Sequence, residues 1–326
     1  MTLRVGILGA ADIAPKALID PVRRRDGDVE IVAVASRRAD AAAAYAEAHD
    51  IPRSHVGYEA LLADPDVDLV YNALPPSAHA EWSIAALEAG KDVLCEKPFA
   101  MDAEQAAEMV AAADRTGRRL IEAFHDRYHP LWGDVAAYRT SGRIGEIVSV
   151  RGTFEVDIPF GPEAIRSVPA LGGGALMDLG CYPLHWLRAF TGEEPEVTEA
   201  EARLNSLGAD QSIRASVSFP SGVTGSLSAS MAGPLVQRLV LEGTRGRLTV
   251  DGMVFPSRGH SIQEEIDGVT RFRTVAGAET YDHQLSAVVA GLASGERLPT
   301  EGQDSIANMR AIDAIYASAG VERPRP

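Results

Sequence analysis

Leu3-Arg4-Val5-Gly6-Ile7-Leu8-Gly9-Ala10-Ala11-Asp12-Ile13-Ala14 is the stretch on which the fold turns. Its first six residues are a short, largely apolar run, the pattern of a strand covered on both faces. Gly9, Ala11 and Ala14 then follow at the spacing of a dinucleotide fingerprint, with alanine at two of the three glycine positions. Gly9 allows a tight turn. The two alanines are small enough for the backbone of Ala11, Asp12 and Ile13 to approach a pyrophosphate at a helix N-terminus.

A second strand, Val29 to Ala35, ends in Ser36-Arg37-Arg38. An NAD site carries an acid there to bind the ribose hydroxyls. A hydroxyl and two guanidiniums suit a 2′-phosphate instead, because arginine forks match phosphate oxygens. The reading is therefore NADP in preference to NAD. Further strands are expected at Val67 to Ala73, Val93 to Cys95 and Leu120 to Phe124. Helices are expected at Pro15 to Arg25, Arg38 to His49, Tyr58 to Ala63, Ser77 to Ala89 and Ala103 to Thr116. Apolar strands alternating with helices mean a parallel sheet covered on both faces, an α/β domain over residues 1–124. Asn72, Leu74, Pro75 and His79 fall at its carboxyl edge, where a nucleotide lies, and are candidate cofactor contacts.

After Phe124 the pattern changes to an α+β half, residues 125–320. Alternating strands are expected at Glu146 to Asp157, Glu196 to Asn205, Ser212 to Phe219, Gly222 to Met231, Gln237 to Glu242 and Arg247 to Val250. Pro220-Ser221-Gly222 and Thr244-Arg245-Gly246 separate some of them as turns. The sheet is read as open and largely antiparallel. Its small, alternating strands, such as Ser212 to Val217 and Gly225 to Ser230, suit pairing with a second copy, so a homodimer or larger assembly is expected. Two closing helices are expected at Tyr281 to Ala293 and Gly302 to Ala319, the last packing back on the first domain. Residues 321–326 read as a disordered tail.

The 326 residues are 46% hydrophobic and 24% charged, with a formal net charge of -15. That composition fits a globular protein, and the acidity argues against a nucleic-acid partner. No apolar run reaches the roughly 20 residues of a membrane helix. Leu3 to Leu8 is read as a strand rather than a secretory signal. Two cysteines give neither a disulfide framework nor a metal spacing, and a reduced, cytoplasmic setting without a metal is expected.

Two segments carry the chemistry. Glu96-Lys97-Pro98 follows the strand ending at Cys95, and Lys97 is one of only three lysines among 31 basic residues. Lysine, unlike arginine, can give up its proton in a protein. Gly172-Gly173-Gly174 precedes a helix with Asp178, Tyr182 and His185 at i, i+4 and i+7. At about 100° per residue these lie within roughly 60° of one another on one face. His125, Arg127 and His129 follow the last parallel strand and would face one way in extended backbone. His129 before Pro130 reads as a helix cap.

With the fingerprint, Glu96-Lys97-Pro98 and the triple glycine before Asp178 and Tyr182, the chain resembles the Gfo/Idh/MocA oxidoreductases over essentially its whole length. The resemblance implies a Rossmann domain followed by an open-faced α/β domain. It implies hydride transfer between nicotinamide C4 and a carbinol carbon of a sugar, cyclic polyol or trans-diol. By position it makes Lys97 the catalytic lysine and implies a cis Lys97-Pro98 bond. Tyrosine at 182 is similar to the branch of dimeric dihydrodiol dehydrogenase, NADP-dependent xylose dehydrogenase and glucose–fructose oxidoreductase. Lys97, Tyr182 and Asp178 are then the catalytic candidates, and either Lys97 or Tyr182 moves the proton. Asp178, Tyr182, His185, His125 and Arg127 are the candidates facing substrate. His125 stands where that branch often has an aromatic residue, which suggests a more polar ligand. Glu96 is expected to pair locally and orient its loop at the cofactor. A nicotinamide-dependent glycosidase of this fold and a non-catalytic NADP(H) sensor are the alternatives.

Overall fold

The computed structural model describes residues 2–324. The chain divides into two compact units. One combines the chain up to Phe124 with Tyr281–Ile306, and the other combines His125–Thr280 with the chain from Ala307 onward.

The first unit is built on six parallel strands: β1 (Leu3–Leu8), β2 (Val29–Ser36), β3 (Arg53–Val56), β4 (Leu69–Asn72), β5 (Asp92–Cys95) and β6 (Leu120–Glu122). Their order is β3-β2-β1-β4-β5-β6. The chain reverses its winding between β1 and β4, whose carboxyl ends meet with Leu8 beside Asn72. That is the switch point at which open α/β sheets bind nucleotides. Val5, Ile7, Val34, Leu69, Val70 and Val93 are fully buried, as strands packed on both faces require.

β3 is absent from the sequence reading. Arg53-Ser54-His55-Val56 has one apolar residue, Val56, and that residue is exposed. As an edge strand β3 pairs only with β2, and its alternate residues Arg53 and His55 both reach Asp64, at 3.0 and 3.1 Å. The first helix also differs. It opens as a π turn, Pro15–Ile19, and continues as a single α-helical turn, Asp20–Arg23.

The second unit carries eight strands: β7 (Ile147–Glu155), β8 (Glu196–Leu204), β9 (Asp210–Ser218), β10 (Thr224–Ser230), β11 (Val236–Gly243), β12 (Gly246–Asp251), β13 (Ser261–Ile266) and β14 (Val269–Arg273). Their order is β14-β13-β12-β11-β7-β10-β9-β8. All neighbours are antiparallel except β7 and β10. The helix Cys181–Thr191 packs on β7 and β10. The opposite face is a shallow concavity whose lining includes Arg151, Arg214, Ser226, Ser228 and Arg238. The hairpin β13–β14 was also missed, although Asp267 and Gly268 between the strands, both at positive φ, give it the Asp-Gly turn signature.

The closing segments correct the expected domain boundary. Tyr281–Ile306 joins the first unit. There Asp282 pairs with Arg24 at 2.7 Å, Glu301 pairs with Arg119, and Thr300 accepts the Glu122 N–H. The last helix, Gln303–Ser318, belongs from Ala307 onward to the second unit. The described part of the tail is tied down, with Arg323 over the Tyr316 ring and paired to Asp313. Residues 325 and 326, also read as disordered, lie outside the described residues.

Candidate active site

In the first unit the turn after β1 is fixed by Gly9 at φ 94°, where a Cβ would stand 3.0 Å from the Leu74 side chain. The Gly9 N–H donates to Ala35 O, and the Tyr45 hydroxyl donates to Ala11 O at 3.0 Å. No side chain caps the π turn that follows. Pro15 has no N–H, and the Ala14 and Ala17 N–H groups donate to Ala11 O and Ile13 O, so an anion would meet the backbone of the turn before it. The Ala11-Asp12-Ile13 backbone fits a dinucleotide pyrophosphate on that ground.

At the end of β2, Ser36 Oγ accepts the Arg38 N–H at 3.3 Å. Arg38 is exposed and forks onto Asp40 at 3.1 and 2.6 Å. Arg37 lies against Tyr58. Burial pushes the Tyr58 phenol up, and the Arg37 guanidinium opposes that shift by charge and hydrogen bond. Arg38 is thus held by a neighbouring acid, while Arg37 faces the Tyr58 phenol.

The side chains of Asn72 and His79 are bonded to protein groups. The Asn72 amide accepts the Leu74 N–H and donates to His79 O and Ser83 Oγ, all within 3.3 Å. The His79 ring, fully buried, stands 3.0 Å from Pro98 O and 2.8 Å from Leu74 O. Burial pulls its pKa down to about 4 against these carbonyl contacts. These two side chains tie the Leu74-Pro75 loop to the Lys97-Pro98 loop. The Lys97-Pro98 bond is cis. Glu96 Oε1 accepts the Tyr71 hydroxyl at 2.6 Å and Oε2 accepts the Lys97 N–H at 3.2 Å, which is the local pairing expected of it.

In the second unit the helix bearing Asp178 and Tyr182 opens as a π turn, Leu176–Gly180, before Cys181–Thr191. Asp210 anchors its start. Oδ2 accepts the Leu176 N–H and Oδ1 accepts the Tyr316 hydroxyl, both at 2.7 Å. Burial pushes this carboxyl up to about 6 against those two bonds. Gly174, at φ 134°, leaves the room for it, since a Cβ there would stand 2.0 Å from Asp210 Oδ1.

Asp178, Tyr182 and His185 have three different surroundings. Asp178 Oδ2 accepts a 2.6 Å hydrogen bond from Arg166 Nε. The Tyr182 hydroxyl stands 3.0 Å from His125 Nε2, and His125 Nδ1 stands 2.7 Å from Thr280 Oγ1. His185 is buried with its ring centroid 5.2 Å from that of Trp132. The segment His125–Tyr128 is a 3-10 turn, not extended backbone, so its side chains diverge. His125 turns to Tyr182 and Thr280, with protein groups at both ring nitrogens. The Arg127 guanidinium lies 5.0 Å over Trp132. His129 caps the helix Pro130–Ala136 by accepting the Leu131 N–H, as expected.

Arg166, Thr280 and Asp210 were missed. Arg166 sits in a single 3-10 turn, Ile165–Ser167, too short for a periodicity to mark it. Thr280 lies 155 residues from its partner His125. Asp210, at the start of β9, could have been sought as the buried acid that a glycine-led helix start requires. Among the described residues no group of three His, Cys, Asp or Glu could hold a metal ion, and no helix is long and apolar enough to cross a membrane.

Residues 3–124 match the family model of the oxidoreductase family with an NAD-binding Rossmann fold, and residues 134–249 match that of the GFO/IDH/MocA C-terminal domain. A D-xylose 1-dehydrogenase (NADP(+)) of Haloferax volcanii is 34% identical over 96% of both chains. The chain belongs to the Gfo/Idh/MocA oxidoreductase family. A trans-1,2-dihydrobenzene-1,2-diol dehydrogenase of Xenopus tropicalis is 32% identical to this family member, over 77% of its chain and 76% of the relative's. A crystal structure of a 3-ketoreductase from Actinomadura kijaniata, in complex with NADP and TDP-benzene, superposes with a TM-score of 0.90 at 30% identity, covering 98% of both chains. The protein is an oxidoreductase of a family that includes sugar and diol dehydrogenases and reductases.

Proposed function

We propose that this oxidoreductase is NADP-dependent and transfers hydride between nicotinamide C4 and a carbinol carbon of a sugar, cyclic polyol or trans-diol. Bound nicotinamide supplies the hydride acceptor or donor. Tyr182 carries the proton, Lys97 supplies positive charge, and Asp178 orients a substrate hydroxyl. One observation carries the reading: the buried Tyr182 hydroxyl lies 3.0 Å from an imidazole nitrogen, and acid–base work requires a partner able to exchange a proton.

NADP is preferred because no acid ends β2, and Arg37 beside Ser36 suits a 2′-phosphate. The relatives that bind or use NADP agree with this. The test is a panel of pentoses, hexoses, inositols and trans-diols with NADP and with NAD, followed at the reduced-nicotinamide absorbance. Turnover with none of them, under conditions where NADPH binds tightly, would reject the reading.

A homodimer or larger assembly through the outer face of the second sheet belongs to the same proposal. Arg151, Arg214 and Arg238 line that face together with Glu199 and Glu201 of the edge strand β8, a mixture able to complement itself about a two-fold axis. A monomer mass by light scattering would reject it. A cytoplasmic setting completes the reading, as Cys95 and Cys181 are buried and not joined in a disulfide.

A further inference from the structure

We propose that His125 and Thr280 form a proton relay behind Tyr182, a role that rests on Tyr182 being the acid–base group. The chain of contacts is short and lies within one unit. Tyr182 Oη is 3.0 Å from His125 Nε2, and His125 Nδ1 is 2.7 Å from Thr280 Oγ1, both within hydrogen-bonding range. Tyr182, His125 and Thr280 are respectively 3%, 1% and 0% exposed, so bulk water has little access to them.

The relay uses one of the two neutral tautomers of His125. A neutral imidazole has one N–H and one acceptor nitrogen. When Nδ1–H donates to Thr280 Oγ1, Nε2 is the acceptor and receives the Tyr182 hydroxyl. Phe255 holds the ring plane by stacking on it, with centroids 5.1 Å apart and planes at 22°. Other charged groups nearby are committed to different partners. Arg166 and Asp178 pair beside Tyr182. Asp126 accepts the Trp186 indole N–H, Arg127 lies over Trp132, and Arg258 lies over the far partner Phe255.

In the oxidative direction the step balances as follows. The substrate hydroxyl proton moves to Tyr182 Oη as hydride leaves its carbon for the oxidised nicotinamide. The original Tyr182 proton moves to His125 Nε2. The new imidazolium keeps its Nδ1–H on Thr280; once product has left, Tyr182 Oη gives its proton to water in the emptied site and takes the Nε2 proton back. The reductive direction reverses each transfer. His125 and Thr280 thus act through Tyr182 and do not touch the substrate.

The test uses the full-length enzyme with the best substrate of the panel. His125→Gln keeps a polar side chain but cannot take a proton. It is expected to lower kcat for oxidation about 10- to 100-fold. It should also raise by at least one unit the pH at which the rate levels off, and convert a curved, two-proton solvent-isotope inventory into a linear one. Thr280→Val should show the same changes to a smaller extent, and Thr280→Ser should restore the wild-type rate within about twofold. A His125→Gln enzyme within twofold of wild type, with an unmoved pH limb and unchanged inventory, overturns the relay. Tyr182→Phe separates the two claims. If it retains turnover, the reading of Tyr182 itself fails; if it is inactive while His125→Gln is not, only the relay fails. NADPH binding and a melting curve check folding. Should His125→Gln not fold, the Thr280 pair decides, and equal rates and pH limbs for Val and Ser overturn the proposal.

Discussion

Arg166 donates from Nε to Asp178 Oδ2 at 2.6 Å, four residues before Tyr182 on the same helical stripe. The charge of Asp178 is the main cause that raises the Arg166 pKa, and Tyr182 adds to it. Asp178 is therefore held by a half-exposed cation from the short 3-10 turn Ile165–Ser167.

Arg166→Ala is expected to leave Asp178 without that restraint. The pair is partly solvated, so the stability loss should stay near 1 kcal/mol or below. The kinetic loss should be larger, about tenfold in kcat/KM, because orientation of the reacting hydroxyl is what the bond secures. Steady-state kinetics and a denaturant titration on the same variant separate the two quantities. A stability loss of several kcal/mol without a kinetic effect would contradict this role.

Lys97→Ala should lower turnover by about 10²- to 10⁴-fold, the range typical of lost acid–base assistance, while NADP(H) affinity stays within a few-fold. Fluorescence titration with NADPH checks the second half. If affinity collapses with the rate, Lys97 is a cofactor anchor rather than a contributor to the chemistry.

Arg37→Ala should weaken NADPH binding about 10- to 100-fold and NADH binding little, because a charge-assisted hydrogen bond contributes about 1.5–3 kcal/mol. Ser36→Asp should act in the same sense by placing a carboxylate near the 2′-phosphate. Arg38→Ala is expected to have the smaller effect, since Arg38 is already bonded to Asp40. The ratio of NADPH to NADH dissociation constants tests all three.

What was legible in the sequence follows from how each feature is held in place. β1, its fingerprint turn and the cis Lys97-Pro98 loop are local, and apolar runs, small residues and the family resemblance mark them. β3 and β14 are edge strands that pair on one side, so they lack the apolar pattern that reveals the other strands. The Tyr182–His125 and His125–Thr280 contacts join residues 57 and 155 positions apart. No spacing rule encodes such a meeting; the fold alone creates it. Asn72 and His79 were correctly placed at the sheet's carboxyl edge, but the sequence could not show that both side chains are consumed in tying loops together.

Gly174→Ala should destabilise the second unit by about 2–4 kcal/mol. The added Cβ would meet Asp210 Oδ1 at 2.0 Å, at a φ of 134° that other residues rarely adopt. Displacing Asp210 also removes the acceptor of the Leu176 N–H and the Tyr316 hydroxyl. Chemical unfolding measures the loss, and because Asp210 anchors the helix carrying Tyr182, kcat should fall even where the variant remains folded.

Asp126 gives the pH dependence its sign. Burial pushes this carboxyl from 3.8 up to about 6, against the Trp186 N–H and the nearby positive charges. Between about pH 4 and 6 the folded protein therefore binds more protons at this site than the unfolded chain does. Stability from this group must fall as pH rises through that window, and the full penalty is present above it. A shift of about two units corresponds to roughly 3 kcal/mol at most. Asp126→Asn keeps an oxygen able to accept the Trp186 N–H and removes the ionisation. The variant should match wild type near pH 4 and exceed it in unfolding free energy by on the order of 1–3 kcal/mol at pH 7. Denaturant unfolding at both pH values measures the difference, and a variant less stable than wild type at pH 7 would show that the ionised carboxylate is favoured in the fold.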